Sequence, residues 1–397
     1  MGLITTSIPD ITSGIAALDC ISTVAADLTE GRSALVVIDA FLMQCGHLER
    51  IETLLGRSGF RVASFAEFTG EPKLAHLRAG HAKAVASNAD LVVGVGGGSA
   101  LDIAKIVAST ACGSLDPGAY AMAAVPLPVR SLPKIMIPTT AGTGSETSAT
   151  NIFANEAGRK TWIWGRQTKA DHVILDPSLT VSLPPNLTAW CGMDALVHAF
   201  EAATNRNTHH GAALFAHAAL PLLAGALERA VHTPQDLAGR EHMLLGSCYA
   251  GVAIDACGTA IAHMISHALS SLAPVHHGHA TALAFEITLP WLVEADTPAM
   301  RAAASALGLE ATQALPGFVT DLMDRAGIER RLPPAFDMIT PDDLLVEMGQ
   351  PEHAPMRMST AVPVADEDLE RFAQSLLPGV SQASRGSQPD RAPHPTA

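Results

Sequence analysis

Positive charge is scarce in this chain. Against 39 Asp and Glu stand 25 Lys and Arg, a formal net charge of −14 at pH 7, and such a balance repels a phosphate backbone, which argues against nucleic acid as a partner. Cysteine is sparse and scattered: Cys20, Cys45, Cys112, Cys191, Cys248 and Cys257 form no C-x-x-C pair. Free, mostly buried thiols in a reducing cytoplasm are the expectation. The N-terminus has no basic region followed by an apolar run, so no signal peptide is read there. The longest apolar segment, AALFAHAALPLLAGAL at 212–227, is short for a bilayer span and carries His217 and Pro221. It reads as a buried helix, with no membrane partner expected. No internal repeat is visible, and only four tryptophans occur in the chain.

What is present suits two domains: 397 residues with 48% hydrophobic content can bury two separate cores. Up to Pro184-Pro185, apolar strands at 34–38, 61–66, 90–95 and 134–138 alternate with helical stretches at 47–57, 73–88 and 99–110. That alternation predicts a parallel sheet with helices on both faces. Beyond it, Ala/Leu-rich periodic segments dominate and β-branched runs almost vanish, so the second part is expected to be nearly all helical. The expected division is 1–183, 184–380 and a tail, 381–397, whose sequence SQASRGSQPDRAPHPTA is low in complexity and reads as disordered.

Two kinds of chemistry-bearing residues stand out. Asp194 and His198 lie at i, i+4 in GMDALVHAFEA and so leave one helix face about a turn apart. Together with His263 in AIAHMISHALS and His277 in VHHGHA, they offer a carboxylate and three imidazoles to one divalent ion. Such donors suit Fe(II), Zn(II), Mn(II) or Ni(II) alike. Separately, DLVVGVGGGSALDIAK at 90–105 reads as strand, glycine turn and helix start, with Asp102 in the first turn. Glycines and a helix N-terminus together favour a phosphate, although the run is neither a Walker loop nor a clean G-x-G-x-x-G. A second loop, PTTAGTGSETS at 138–148, crowds six hydroxyl side chains and two glycines behind the apolar strand KIMIP. Many neutral donors at close quarters fit the pyrophosphate and ribose of a dinucleotide.

In this order and spacing, GGGSALDIAK, PTTAGTGSETS, DPSLT, GMDALVHAFEA and the His263/His277 pair resemble the iron-containing (group III) alcohol dehydrogenase family over about residues 30 to 360. The resemblance implies a dehydroquinate synthase-like fold: an α/β N-terminal dinucleotide-binding domain with a parallel sheet, and an all-α C-terminal metal-binding domain. It implies that Asp194, His198, His263 and His277 hold the metal, Fe(II) first and Zn(II) second, and that His267 lies beside the nicotinamide as the catalytic histidine. Gly97, Gly98 and Ser99 would meet the pyrophosphate, while Asp102, Thr139, Thr140, Thr143, Ser148, Lys160 and Leu179 would line the rest of the cofactor site. Asp39, ending the strand ALVVID, would face the adenosine ribose. A carboxylate there accepts from both ribose hydroxyls and repels a 2′-phosphate, so NAD(H) is expected over NADP(H).

The implied activity is metal-dependent hydride transfer between nicotinamide and a primary alcohol or aldehyde, in a cytoplasmic homodimer or larger homo-oligomer. The alternatives are a glycerol dehydrogenase-like or maleylacetate reductase-like relative, or a metal-dependent lyase of the same fold. The chain also departs from the family. Gly70-Glu71-Pro72 replaces the usual Asn-Pro pair, and Pro355-Met356-Arg357 keeps only the arginine of Asn-Pro-Arg. The segment TWIWGRQTK at 161–169 reads as an exposed hairpin, with Arg166 and Lys169 as a candidate rim for anionic substrates.

Overall fold

The computed structural model describes residues 7–377. The expected tail at 381–397 lies outside these residues. The first part of the chain runs β1 (Asp10–Ser13), α1 (Ile21–Leu28), β2 (Ser33–Ile38), α2 (Ala40–Gln44), α3 (His47–Arg57), β3 (Arg61–Phe65), α4 (Leu74–Ala86), β4 (Leu91–Gly96), α5 (Gly98–Thr110), β5 (Lys134–Pro138), β6 (Thr150–Ala154), β7 (Lys160–Trp164) and β8 (His172–Leu175). Six of these strands form one parallel sheet in the order β1-β8-β5-β4-β2-β3, while β6 and β7 pair as an antiparallel hairpin.

Every residue of β2, β4 and β5 is buried. A strand covered on both faces needs a continuous apolar run, which is why SALVVI and LVVGVG do not alternate. Leu35, Val37, Val92 and Met136 face one core with α4 and α5, and Val36, Ile38, Val93, Val95, Ile135 and Ile137 face the other with α1 and α3. Strand order reverses between β2 and β4: the chain moves outward from β2 to β3, then returns to the other side of β2. In open sheets of this kind the crevice past the strands' C-terminal ends at such a reversal accepts ligands, and here those ends are Asp39 and Gly96–Gly97.

The four expected strands are present within a residue or two. The two short strands, β1 and β8, were not foreseen, and the hairpin expected at 161–169 is instead built from β6 and β7 at 150–164. DITS and HVIL are four residues each, too short for a periodicity to show.

Past a 3-10 turn at Pro177–Thr180 the chain is helical: α6 (Pro185–Thr204), α7 (His210–His232), α8 (Leu237–Cys257), α9 (Ile261–Leu272), α10 (His277–Val293), α11 (Pro298–Ala306), α12 (Leu315–Arg325), α13 (Pro341–Met348), α14 (Ala354–Ser359) and α15 (Asp366–Leu376). Helix α6 is buried from Cys191 to Thr204, wrapped by its neighbours. Helix α7 is long and apolar enough to cross a bilayer, but its Ala212, Ala216, Ala219, Leu223, Ala226, Leu227 and Ala230 stripe packs into the helical core.

The two parts meet where the 138–148 loop lies on α8. At Gly144, φ is +63° and an added Cβ would fall 2.4 Å from the Gly251 Cα, while a Cβ on Gly251 would fall 2.5 Å from Thr147 Oγ1 and 2.7 Å from Gly144 Cα. Backbone touches backbone here, and only glycine permits it. Gly251→Ala is therefore expected to cost about 1–3 kcal/mol through overpacking, seen as a lower melting temperature and a weaker NADH fluorescence titration. Unchanged values in both would show that the contact has slack.

Candidate metal centre and cofactor cleft

Helical spacing on α6 brings Asp194, His198 and Glu201 to one face, at i, i+4 and i+7. All three are buried, at 3%, 5% and 2% exposure. Helix α9 adds His263, and α10 begins with His277. Ligand atoms of Asp194, His263 and His277 lie within 4.8 Å of one another, with Asp194 Oδ1 3.5 Å from His263 Nε2 and 3.6 Å from His277 Nε2. Asp194 Oδ1 and His263 Nε2 are buried without a hydrogen-bond partner. Native interiors rarely leave such atoms unpaired, and a carboxylate oxygen and imidazole nitrogens converging on one point are a donor set that fits a divalent ion. His198 stands beside this trio, its ring stacked 4.3 Å from that of His263. Its Nδ1 donates to the Gly142 carbonyl at 3.2 Å, which leaves Nε2 free to bind.

The electrostatics make Asp194, His198 and His277 ready ligands, whereas His263 has to give up a proton to bind an ion. Burial pushes the Asp194 carboxyl up, but His198 and His277 outweigh it and hold it well below the usual range. Burial brings His198 down to about 4 and His277 down to about 3, so both are neutral with lone pairs available near pH 7. For His263, burial acts downward but Glu201 and Asp194 carry it up to about 9.

Glu201 was not singled out in the sequence, although it stands three residues after His198 within HAFEA. Its Oε2 accepts from His263 Nδ1 at 2.7 Å and from Ala260 N–H at 2.6 Å, and its Oε1 from Ala262 N–H at 2.7 Å. One carboxylate thus satisfies the start of α9 and turns His263 Nε2 toward Asp194. A second enabling residue is Gly278, where a Cβ would meet the Trp190 carbonyl at 2.4 Å and Asp194 Cβ at 3.3 Å. Its lack of a side chain lets α10 close on α6 and deliver His277. The neighbours in VHHGHA do other work: His276 and His279 pack on Trp190 at 5.0 Å.

His267, one turn beyond His263, is half-buried with its ring 5.4 Å from that of His277. Burial, then His277 and Lys160, hold it well below its ordinary pKa, so it is neutral. His353, also unforeseen, lies 6.5 Å from His267 with both ring nitrogens lacking hydrogen-bond partners.

The cofactor-side residues gather at the sheet's switch point. Gly97, Gly98 and Ser99 open α5 and are partly exposed, as are Thr140 and Thr143, while Thr139 and Ser148 are buried. A Cβ on Gly98 would meet Thr143 Cγ2 at 2.9 Å, so the glycine turn and the 138–148 loop touch. Asp39 caps α2, its Oδ1 accepting from Phe41 N–H at 2.8 Å. Leu179 is 2% exposed in the 3-10 turn. Asp102 is committed within the protein: Oδ1 accepts from Ser145 Oγ and Oδ2 from Ile152 N–H at 2.9 Å. It braces the loop, and so does Lys105, fully buried, whose Nζ donates to the carbonyls of Ser145 (2.7 Å), Ser148 (3.1 Å) and Thr150 (3.2 Å). The loop carbonyl Gly142 then reaches His198, joining the loop to the candidate ligands.

Comparison with known proteins agrees with this geometry. Residues 9–177 match the iron-containing alcohol dehydrogenase family, and residues 188–336 match the C-terminal domain of the Fe-containing alcohol dehydrogenase family. The chain belongs to the iron-containing alcohol dehydrogenase family. It is 35% identical over 276 residues to long-chain-alcohol dehydrogenase 1 of Geobacillus thermodenitrificans, covering 69% of this chain and 70% of that one. It is 36% identical over 249 residues to the probable alcohol dehydrogenase EutG of Salmonella typhimurium, covering 62% and 63%. The solved sulfoacetaldehyde reductase of Bifidobacterium kashiwanohense in complex with NAD+ aligns with TM-score 0.86 at 26% identity, over 95% of this chain and 99% of that one.

This alcohol dehydrogenase family member departs from the family pattern with structural reasons. Glu71, in place of Asn, pairs with Lys160 at 2.8 Å. Arg357 donates to the Val364 carbonyl at 2.7 Å and pairs with Asp366. Trp162 and Trp164 lie on the solvent face of the β6/β7 hairpin, at 38% and 58% exposure. Arg166 is exposed, while Lys169 pairs with Asp255 on α8 at 2.7 Å and holds the first part of the chain to the second.

Two predictions follow from these contacts. Replacing Glu201 with Gln removes the charge behind His263 and should weaken metal affinity by roughly 10–100-fold, measured by chelator competition; equal affinities would make Glu201 purely structural. Glu146, buried in the loop, is pushed up to about 7, chiefly by burial. A carboxyl raised in the folded state contributes most below its ordinary pKa and loses stability as pH rises toward 7, by roughly 3 kcal/mol in all. The melting-temperature advantage of Glu146→Gln over the unmodified protein should therefore grow between about pH 5 and pH 8. A difference independent of pH would contradict the assignment.

Proposed function

We propose that the chain is a metal-dependent, NAD(P)-linked alcohol dehydrogenase or aldehyde reductase, moving hydride between a primary alcohol or aldehyde and nicotinamide. The observation that carries it is the convergence of buried Asp194 and His263, each with an unpaired ligand atom, and half-buried His277, beside the loop that touches the glycine turn of α5. When bound, the ion supplies Lewis acidity to the substrate oxygen and the nicotinamide supplies or takes the hydride. The chain's residues do the rest. Asp194, His198, His263 and His277 hold the ion, and Glu201 fixes the orientation of His263. Gly97, Gly98, Ser99 and the 138–148 hydroxyls seat the cofactor phosphates and ribose, with Asp102 keeping that loop in shape.

His267, neutral and half-buried near His277 and His353, takes up and passes on the alcohol proton in this reading, supported by its ring's approach to both. The helices α6, α9 and α10 exclude water from the inner side of the site, which strengthens each electrostatic contact there. Fe(II) is the first metal and Zn(II) the second, on the family's own description. Relatives named for glycerol or maleylacetate chemistry, or for lyase chemistry, are not what supports this reading: the similar proteins described above are alcohol dehydrogenases and an aldehyde reductase.

NAD(H) is the proposed cofactor. Asp39 stands against the glycine turn, its Cβ 3.8 Å from where a Cβ on Gly96 would be, and Oδ2 is free of the α2 cap. Asp39→Gly keeps a cap nearly as good and removes the carboxylate. NADP(H) should then gain in kcat/KM relative to NAD(H) by about 1–3 kcal/mol in transition-state terms. Equal use of the two cofactors by the unmodified enzyme would contradict the preference.

The function itself is tested with iron-loaded protein, NADH and a series of aldehydes. NADH consumption is expected, lost in His263→Ala together with the bound metal, while NADH binding persists. No turnover with any aldehyde or alcohol, despite NADH binding and full metal content, would overturn the reading.

A further inference from the structure

The two faces of the β6/β7 hairpin differ in what they touch. Its inner side chains, Asn151, Phe153, Thr161 and Ile163, are buried, and Phe153 and Ile163 join the core that α4 and α5 share with the sheet. Successive side chains of a strand point to opposite faces, so Ile152, Trp162 and Trp164 stand together on the other side, with Ile152 directly opposite Trp162. All three are exposed, at 36%, 38% and 58%. Two of the chain's four tryptophans thus lie open beside an isoleucine on one small face, and a contiguous apolar face of that kind marks a place where something binds.

The hairpin's anchors fix where that face lies. Ile152 N–H donates to Asp102 Oδ2 at 2.9 Å in the first turn of α5, and Ala154 N–H donates to the Pro72 carbonyl at 2.8 Å just ahead of α4. Both partners follow the C-terminal ends of parallel strands, β4 and β3, the edge at which such a sheet receives its ligands. At the other end of β6, Ala149 N–H donates to Asp255 Oδ1 on α8 at 2.7 Å. The hairpin therefore runs from the ligand edge of the sheet to the helical part of the chain. Its Lys160 end approaches the candidate metal centre: burial chiefly holds His267, His277 and His353 below the ordinary histidine range, and the Lys160 charge adds to it in all three.

Charge decides what such a face can hold. Lys160 is paired with Glu71 at 2.8 Å and Lys169 with Asp255 at 2.7 Å, so the two lysines that border it are already matched, and a carboxylate or sulfonate finds no unpaired ammonium there. What stands open is indole and aliphatic surface, which gains by leaving water. We propose that Ile152 and Trp162 form a shelf for the uncharged apolar or aromatic tail of the substrate, with Trp164 extending it outward, so that the enzyme prefers aldehydes and alcohols bearing such a tail to the smallest ones. This inference rests on the dehydrogenase reading above and adds to it the class of substrate and the residue that selects it. Trp162 touches the tail and takes no part in moving hydride or proton.

The test uses the full-length, metal-loaded protein with saturating NADH and acetaldehyde, hexanal, phenylacetaldehyde or succinic semialdehyde. In the unmodified enzyme kcat/KM should rise from acetaldehyde to hexanal and phenylacetaldehyde. Trp162→Ala should lower the two larger values by roughly tenfold or more, while acetaldehyde changes by less than about twofold and the NADH dissociation constant stays the same. Trp162→Phe, which retains a ring, should recover most of the loss. An equal loss for every aldehyde, a gain for the larger ones, weaker NADH binding in Trp162→Ala, or a preference for succinic semialdehyde overturns the proposal. If the unmodified enzyme reduces no aldehyde at all, the dehydrogenase reading fails, and calorimetry with hexanamide on the protein–NADH complex still judges the shelf. Hexanamide binding that Trp162→Ala weakens supports it, and equal binding to both proteins overturns it.

Discussion

The arrangement of this molecule depends on one buried carboxylate. Asp194, at 3% exposure in the middle of α6, faces His263 and His277 with an oxygen that has no protein partner. Burying an ionised carboxylate costs several kcal/mol unless opposite charge and hydrogen bonds repay it. In the metal-free protein a protonated His263 offsets part of that cost, and a divalent ion would turn the remaining lone pairs into a stabilising set. Helix packing is subordinate to that requirement: α6 is buried all round, α9 enters end-on under Glu201, and α10 comes close enough to offer His277 only because residue 278 is glycine.

The nucleotide side is coupled to this centre through a single loop. Residues 138–148 leave β5 at the sheet's switch point and are held from below by Lys105 and Asp102, both on α5 and one helical turn apart. Their other side rests on α8 by a glycine-to-glycine contact, and their Gly142 carbonyl orients His198. Hydride transfer demands that nicotinamide and substrate carbon meet within a narrow range of distance and angle. A loop that touches the glycine turn of α5 on one side and His198 on the other would set that geometry by construction.

Much of this was legible in the sequence. Continuous apolar runs gave β2, β4 and β5, and i, i+4 spacing placed Asp194 and His198 together. Residues working through a second residue were not legible. Glu201 carries no motif of its own, and its value comes from α9 meeting α6 some sixty positions later in the chain. Lys105 reads as a helix surface cation until the loop folds over it. Asp102, expected at the cofactor, instead spends both oxygens on Ser145 and Ile152, because the first turn of α5 lies under the loop as well as beside the cleft. The three histidines of VHHGHA look equivalent in sequence, and only the direction in which α10 starts separates His277 from the two that pack on Trp190.

The central claim is that one ion binds at Asp194 and the three histidines, with His198 included although it stands slightly apart from the tight trio. Anomalous diffraction at the iron edge from crystals of iron-loaded protein tests it most directly. The account predicts one strong peak per chain, bonded to a carboxylate oxygen of Asp194 and to Nε2 of His198, His263 and His277. A peak elsewhere, no peak in fully loaded protein, or an ion held without Asp194 would contradict it.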